Sequence, residues 1–213
     1  MRISIIGTGN MAKAIGSRAL AGGHDVTVVG KDEAHAQEAV AALEALDSGS
    51  GSVTGALDGD ALDGDLIVLA VYYPDARAVV ERDAEQLAGK AVVDITNPLN
   101  DSFDELVVPP DSSATRQLAG LAPDARFVKA FNTTFANTLH TGQVSGEPVD
   151  VFIAGDDADA KARVAQLASE GGLQPVDVGG LHRARELEAL GLLHISLQST
   201  LGTGFASAVK LLS

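Results

Sequence analysis

The chain has no cysteine and no tryptophan, only two tyrosines and six phenylalanines, and few basic residues. Each shortage closes off a class of chemistry. Without cysteine there is no disulfide, no thiolate nucleophile and no cysteine-held metal. No run approaches the ~20 apolar residues that span a bilayer. Fifteen Lys and Arg stand against 29 Asp and Glu, a formal net charge of −14. Nucleic acids and anionic membranes are held mainly by Lys and Arg neutralising phosphates, so neither is an expected partner. The five histidines (His24, His35, His140, His182 and His194) show no ligand spacing, and no catalytic metal is expected. Asp58, Asp60, Asp63 and Asp65 lack the pattern of a calcium loop and read as a solvated acidic loop. The first strand has neither a basic leader nor a cleavage site, so a cytoplasmic protein is the expectation.

What is present is aliphatic: 46% hydrophobic against 4% aromatic residues over 213 positions. That composition suits an α/β core in one large domain, or one domain with a small extension. The most informative stretch is the opening. Arg2–Ile6 reads as a buried strand running into Gly7-Thr8-Gly9-Asn10-Met11-Ala12, followed by an amphipathic helix to Leu20 and a second strand, Val26–Val29. A G-x-G-x-x-A turn in that strand–helix–strand context predicts dinucleotide binding. Gly7 permits the tight turn, Gly9 lets a pyrophosphate approach the backbone, and Ala12 lets the helix sit close on the strand. The spacing turns Met11, Ala12, Ile15, Gly16, Ala19 and Leu20 inward and leaves Lys13, Ser17 and Arg18 outside.

After the second strand comes Gly30-Lys31-Asp32. NAD enzymes usually place an acid at this strand end for the ribose hydroxyls. Gly30 holds the place here and Lys31 follows, which favours the 2′-phosphate of NADP, with NAD as the alternative. A helix over 33–46, a loop over Asp47–Ser52, a short strand near Val53-Thr54 and a helical turn over Leu57–Leu62 come next. Leu66–Val71 is apolar on both faces, as a central parallel strand requires. It ends in Tyr72-Tyr73-Pro74, where either tyrosine can stack on a ring or pack under the helix running to Leu87. The strand Ala91–Ile95 ends similarly, in Thr96-Asn97-Pro98, and residues 101–115 read as irregular. After a helix around Ser113–Gly120, alternation over Arg126–Phe131 points Phe127, Lys129 and Phe131 to one side. That leaves Lys129 either functional or snorkelling to solvent. Further strands are expected at Val149–Ala154 and Gln174–Val178. A final helix from Leu181 to Leu201 should carry Leu187, Leu190, Leu197, Leu201 and a buried or interfacial His194 on one face.

Taken together, Ile6–Ala12, Val28–Lys31, Asn97-Pro98-Leu99, Lys129–Thr133, Ile153–Asp157 and Asp177–Leu181 resemble the F420-dependent NADP reductases. That group also includes the reductase domains of the STEAP metalloreductases. The resemblance implies a Rossmann-type, doubly wound α/β fold with a mostly parallel sheet. Residues 1–145 would form the NAD(P)-binding domain, and residues 146–213 a small C-terminal extension with the dimer contact of a homodimer. It places Gly7, Thr8, Gly9, Asn10, Met11, Ala12, Gly30 and Lys31 at the adenosine and phosphate end. Val71, Tyr72, Asn97, Pro98, Ala130 and Asn132 would surround the nicotinamide, with a deazaflavin or flavin (F420, FMN or FAD) stacked beyond. The usual Ser-Arg after the second strand is replaced by Lys31-Asp32. The implied activity is hydride transfer between NADP(H) and F420 or a flavin, with Asn97, Pro98 and Asn132 as positioning residues. Two rivals are a non-catalytic NADP-binding sensor and an imine reductase of the pyrroline-5-carboxylate type; the latter needs a longer helical domain than the residues after Gly180 supply.

Overall fold

The computed structural model describes residues 1–46 and 49–212, and strands alternate with helices through most of them. The first unit is β1 (Arg2–Ile6), α1 (Asn10–Ala21), β2 (Asp25–Gly30) and α2 (Glu33–Glu44). Then come β3 (Val53–Leu57), β4 (Leu66–Leu69), α3 (Tyr73–Leu87), β5 (Ala91–Asp94), α4 (Ala114–Leu121) and β6 (Arg126–Lys129). α5 (Ala136–Thr141) leads to a hairpin of β7 (Gln143–Val144) and β8 (Glu147–Pro148). β9 (Asp150–Gly155), α6 (Ala158–Glu170) and β10 (Gln174–Gly179) follow, and after a 3-10 turn at Leu181–Arg183 come α7 (Ala184–Ser196) and α8 (Gln198–Leu201).

Among the described residues, eight strands make one sheet in the order β10-β9-β6-β5-β4-β1-β2-β3. β1 to β6 run parallel in the doubly wound, Rossmann-type arrangement. β9 reverses direction against β6, and β10 runs parallel to β9. The expected boundary near residue 145 falls at the β7–β8 hairpin, and strands from both sides of it share the sheet. Strand order reverses between β1 and β4, so their carboxyl ends frame the crevice where ligands of such sheets bind.

The sheet is apolar on both faces because both are covered. Ile5, Val28, Val68 and Val93 pack with α1 and α6 residues on one side, while Ile67, Leu69, Val92 and Phe127 pack with α3 and α4 residues on the other. Burying each such side chain contributes roughly 1.5–3 kcal/mol. The inward face of α1 forms as read from its spacing, but Ser17 is buried and Arg18 half-buried rather than solvated. The cause is α5, which covers the outer side of α1: Arg18 Nη2 donates to His140 O at 3.0 Å, and Ser17 Oγ donates to Ala14 O at 2.8 Å.

Other departures are local. No helical turn forms over Leu57–Leu62, because β3 runs to Leu57 and the Asp60 carboxylate accepts the Leu57 N–H at 2.8 Å, closing a turn instead. The neighbouring acids have protein partners: Asp58 takes two bonds from Arg82, both 2.6 Å, and Asp65 accepts the Arg2 N–H at 3.0 Å. α2 ends at Glu44, and Asp47 and Ser48 of the expected Asp47–Ser52 loop lie outside the described residues. The single helix expected over Leu181–Leu201 divides into the 3-10 turn, α7 and α8. α7 turns Leu187, Glu188, Gly191 and His194 inward, which leaves Leu193, Leu197 and Leu201 as an exposed row at four-residue spacing.

His194 is buried, with Nδ1 facing Thr133 O at 3.1 Å and Nε2 facing Ser207 Oγ at 2.9 Å, so it pins the segment after α8. Asp150 pins it a second time. Its buried carboxylate accepts from Lys210 Nζ at 2.6 Å and from the Leu211 N–H at 2.7 Å. Asp150→Ala is expected to cost about 1–3 kcal/mol by breaking these charge-assisted bonds. Amide hydrogen exchange should accelerate selectively at Lys210 to Leu212.

Candidate functional site

Gly7 closes the turn after β1 with φ +122°, and its N–H donates to Val29 O at 2.9 Å. A Cβ at this position would stand 2.3 Å from Ala70 O, so only glycine allows the loops after β1 and β4 to meet. Gly9 starts α1, and a Cβ built on it meets no atom within 4 Å. α2, α4 and α6 are each capped by a side chain, Asp32, Ser113 and Asp157, whereas α1, like α3 and α7, has no side-chain cap and begins at Gly9. Its first-turn N–H groups therefore remain available to a phosphate, over open backbone. Ala12 is buried against the sheet.

At the end of β2, Gly30 is tightly packed: a Cβ would lie 2.8 Å from the Ala36 nitrogen. Asp32 is committed as the cap of α2, accepting from His35 N at 3.0 Å and facing His35 Nδ1 at 2.7 Å. The His35 backbone and side-chain bonds hold its carboxyl below the usual carboxylate range. Lys31 is exposed, with no carboxylate of the described residues within 4 Å. The two tyrosines after β4 differ in burial. Tyr73 is the buried first residue of α3 and donates to Gln117 Oε1 of α4 at 2.6 Å, while Tyr72 stands 76% exposed at the carboxyl edge beside Val71.

Beyond β5 and β6 the loops are tied by two amides. Asn97 Nδ2 donates to Asn132 O at 2.8 Å, and Asn132 Nδ2 donates to Asn97 Oδ1 at 2.9 Å and to Leu187 O of α7 at 2.8 Å. α7 presses directly on this pair, since a Cβ on Gly191 would fall 2.5 Å from Asn97 Oδ1. Phe131, between the loops, is buried with φ +61°, a left-handed conformation that costs a bulky residue of order 1–3 kcal/mol and marks functional sites.

Beneath the amides lies a charged cluster. Lys129 neither snorkels nor meets solvent, and its side chain is fully buried together with those of Asp94 and Glu188. Its Nζ donates to Asp94 Oδ2 at 2.9 Å and to Thr96 O, and pairs with Glu188 Oε1 at 3.1 Å, so three N–H groups meet three acceptors. Asp94 also accepts from Thr96 N at 2.8 Å and Thr115 Oγ1 at 2.6 Å, while Glu188 accepts the Ala114 N–H at 3.1 Å. Burial alone would push the Lys129 ammonium down, but Asp94 and Glu188 outweigh it and hold its pKa above the ordinary value. Burial raises the Glu188 carboxyl, against the pull of Lys129.

A cavity of about 350 Å³ opens above this platform. Asn10 and Met11 of the first turn, Asn97 and Asn132 line it, so four of the sequence-derived site residues meet there. Thr8, Lys31, Val71, Tyr72 and Pro98 lie outside its lining, and Ala130 is wholly buried in the core. The sequence reading missed Phe131, Phe135, Ile195 and Phe205, which supply the aromatic and aliphatic walls, and among the described residues no charged one lines the cavity. Asn132 Oδ1 is buried with no hydrogen-bond partner. The open, uncapped helix start fits the phosphates of a dinucleotide.

Comparison with known proteins agrees with this geometry. Residues 2–98 match the family described as NADP oxidoreductase, coenzyme F420-dependent. A crystal structure assigned as an F420-dependent NADP reductase from Arthrobacter sp. FB24 is 30% identical, with a TM-score of 0.83 and 100% of both chains covered. The F420-dependent NADP reductase of Methanocaldococcus jannaschii is 28% identical over 219 residues, 96% of each chain. Rat metalloreductase STEAP3 is 30% identical over 191 residues, 90% of this chain but 36% of the relative, so the chain spans about a third of that protein's length.

Two substitutions test the platform. Lys129→Met should lower the unfolding free energy by about 3–5 kcal/mol in urea titration, because two buried carboxylates lose their counter-charge. Gly191→Ala gains up to ~1 kcal/mol in helix propensity, so the fold should persist. NADPH affinity should nevertheless fall as Asn97 is pushed from Asn132, which a fluorescence titration reads.

Proposed function

Because the chain belongs to the family of F420-dependent NADP reductases, we propose that it passes hydride between NADP(H) and coenzyme F420 or a flavin in the cavity above Asn97 and Asn132. The carrying observation is the lining: aromatic and aliphatic walls with neutral amides and no charged group. Hydride transfer between stacked rings needs placement and exclusion of water more than acid–base groups. In this reading Gly7 to Ala12 take the pyrophosphate, and Gly30 and Lys31 the 2′-phosphate end. Asn97 and Asn132 flank the nicotinamide, while Val71, Tyr72, Pro98 and the wholly buried Ala130 lie outside the cavity lining. The capping role of Asp32 supports NADP over NAD, since its carboxylate serves α2 and leaves Lys31 as the nearer charge. The polyanionic tail of F420 finds no cation in the cavity and would run outside it. We take the protein to be a cytoplasmic homodimer whose contact includes the exposed row Leu193, Leu197 and Leu201. Among the described residues no helix is long and apolar enough to cross a membrane.

Anaerobic stopped-flow mixing of NADPH with oxidised F420, FMN or FAD should bleach the acceptor's absorbance band. Tight NADPH binding with no bleaching of any acceptor would leave a nucleotide sensor in its place. Lys31→Ala should weaken NADPH by about tenfold or more, the scale of a charge-assisted bond, and leave NADH unchanged; unaltered NADPH affinity would remove the 2′-phosphate assignment.

A further inference from the structure

We propose that the amino-terminal edge of the sheet binds a small, multiply charged anion of the phosphate or pyrophosphate class. A second cavity, of about 210 Å³, opens there. Arg2 starts β1, Asp65 precedes β4, Lys90 precedes β5 and Arg126 starts β6. These four strands lie side by side and in parallel, with Ile3, Leu66, Ala91 and Arg126 in register. Arg163 joins the lining from α6. The buried residues of the lining are small: Gly64, Ala91 and Ala160. A Cβ on Gly64 would fall 2.7 Å from Ser4 N, so the backbone itself fixes the room between the charged side chains. The cavity lies at the opposite end of the strands from the dinucleotide crevice and does not depend on that reading.

What carries the site is where the idle cations stand. Of the 15 Lys and Arg, nine donate side-chain hydrogen bonds to the described residues. Among those residues the other six make none, and four of them, Arg2, Lys90, Arg126 and Arg163, line this one cavity. Arg2 has Asp65 at 3.6 Å and Arg126 has Asp157 at 3.5 Å, ion pairs without a hydrogen bond. Neither Lys90 nor Arg163 has a carboxylate of the described residues within 4 Å. Two acids share the lining, Asp63 and Asp65. Asp65 is engaged: it accepts the Arg2 N–H at 3.0 Å, and that bond, with the charges of Arg2 and Arg163, holds its carboxyl below the usual range. Four cations against two acids leave a positive cavity on a chain of net charge −14. Guanidinium forks match phosphate oxygens in pairs, and several of them converging with an ammonium suit an oxyanion of charge −2 or more. The volume falls short of the roughly 300–1,000 Å³ of whole small-molecule sites, which fits one or two phosphate groups rather than a nucleotide.

Calorimetric titration with inorganic phosphate and with pyrophosphate, at ionic strength matched with chloride, tests the site. Pyrophosphate should bind the wild type more tightly than phosphate does. The double variant Lys90→Met with Arg163→Gln changes one half-buried and one exposed side chain and should fold. It should weaken pyrophosphate by about tenfold or more, the scale of a charge-assisted bond. Asp63→Asn should tighten it by about two- to fivefold, the scale of one exposed charge pair. Because the anion ties α6 to the starts of the strands, pyrophosphate should raise the melting temperature of the wild type more than that of the double variant. The first turn is the rival place for a phosphate, so Lys31→Ala serves as the control and should retain binding that depends on Lys90 and Arg163. Loss of pyrophosphate binding in Lys31→Ala places the anion at the first turn and overturns the assignment. Undiminished binding in the double variant, or no binding by the wild type at millimolar anion, overturns it too. Self-association at low salt that the double variant abolishes, without anion binding, would make the patch a contact for an acidic protein surface and overturn it as well.

Discussion

The site depends on one ammonium group sealed inside the sheet. Lys129 on β6, Asp94 on β5 and Glu188 on α7 meet with all three side chains fully buried. A buried charge cluster is costly to form and is weak evidence for stability in itself, but removing one member leaves the others uncompensated. Its effect here is geometric. Through Thr96 it fixes the turn that presents Asn97, through Glu188 it fixes the start of α4 and the position of α7, and α7 in turn holds Asn132 and Asn97. The Asn97–Asn132 side of the cavity therefore rests on an electrostatic lock, while the first turn rests on bare backbone at Gly7 and Gly9.

Those two sides were unequally legible in the sequence. The first turn announces itself because glycine spacing, strand and helix periodicity are all local, and β1 to β6 could be read in order from apolar runs ending in polar or glycine-containing turns. Lys129 was visible as a cation in an apolar strand, but its fate was not, because its partners lie 35 and 59 positions away. Asp94 and Lys129 face each other in register at the ends of β5 and β6, a pairing that only the assembled sheet reveals. The amphipathic reading of the last helix had no place for Glu188: Leu187 and His194 are buried as expected, but Leu197 and Leu201 are exposed, and the inward face of α7 also takes Glu188 and Gly191. Phe131, Phe135, Ile195 and Phe205 were missed as wall residues because only the third dimension brings them together. On α1, the sequence could not show that α5 would cover Ser17 and Arg18.

The cofactor end was sharpened by a capping interaction. Asp32 left the choice of dinucleotide open as long as its carboxylate was free to meet a ribose. As the cap of α2 it is engaged by His35 and less free to accept from ribose hydroxyls, while it keeps its negative charge beside Lys31. Where Ser-Arg is usual, Lys31 offers the point charge of an ammonium in place of a bidentate fork.

The ties that close the cavity are also long in sequence. Asn132 reaches Leu187 across 55 positions, and Ala114 reaches Glu188 across 74. Loop-closure entropy is met before such contacts return any stabilisation. The first turn carries the same burden, because β1 pairs with β4 and sets Ile3 opposite Leu66, 63 positions on. Both ends of the cavity therefore depend on contacts that only the complete sheet supplies.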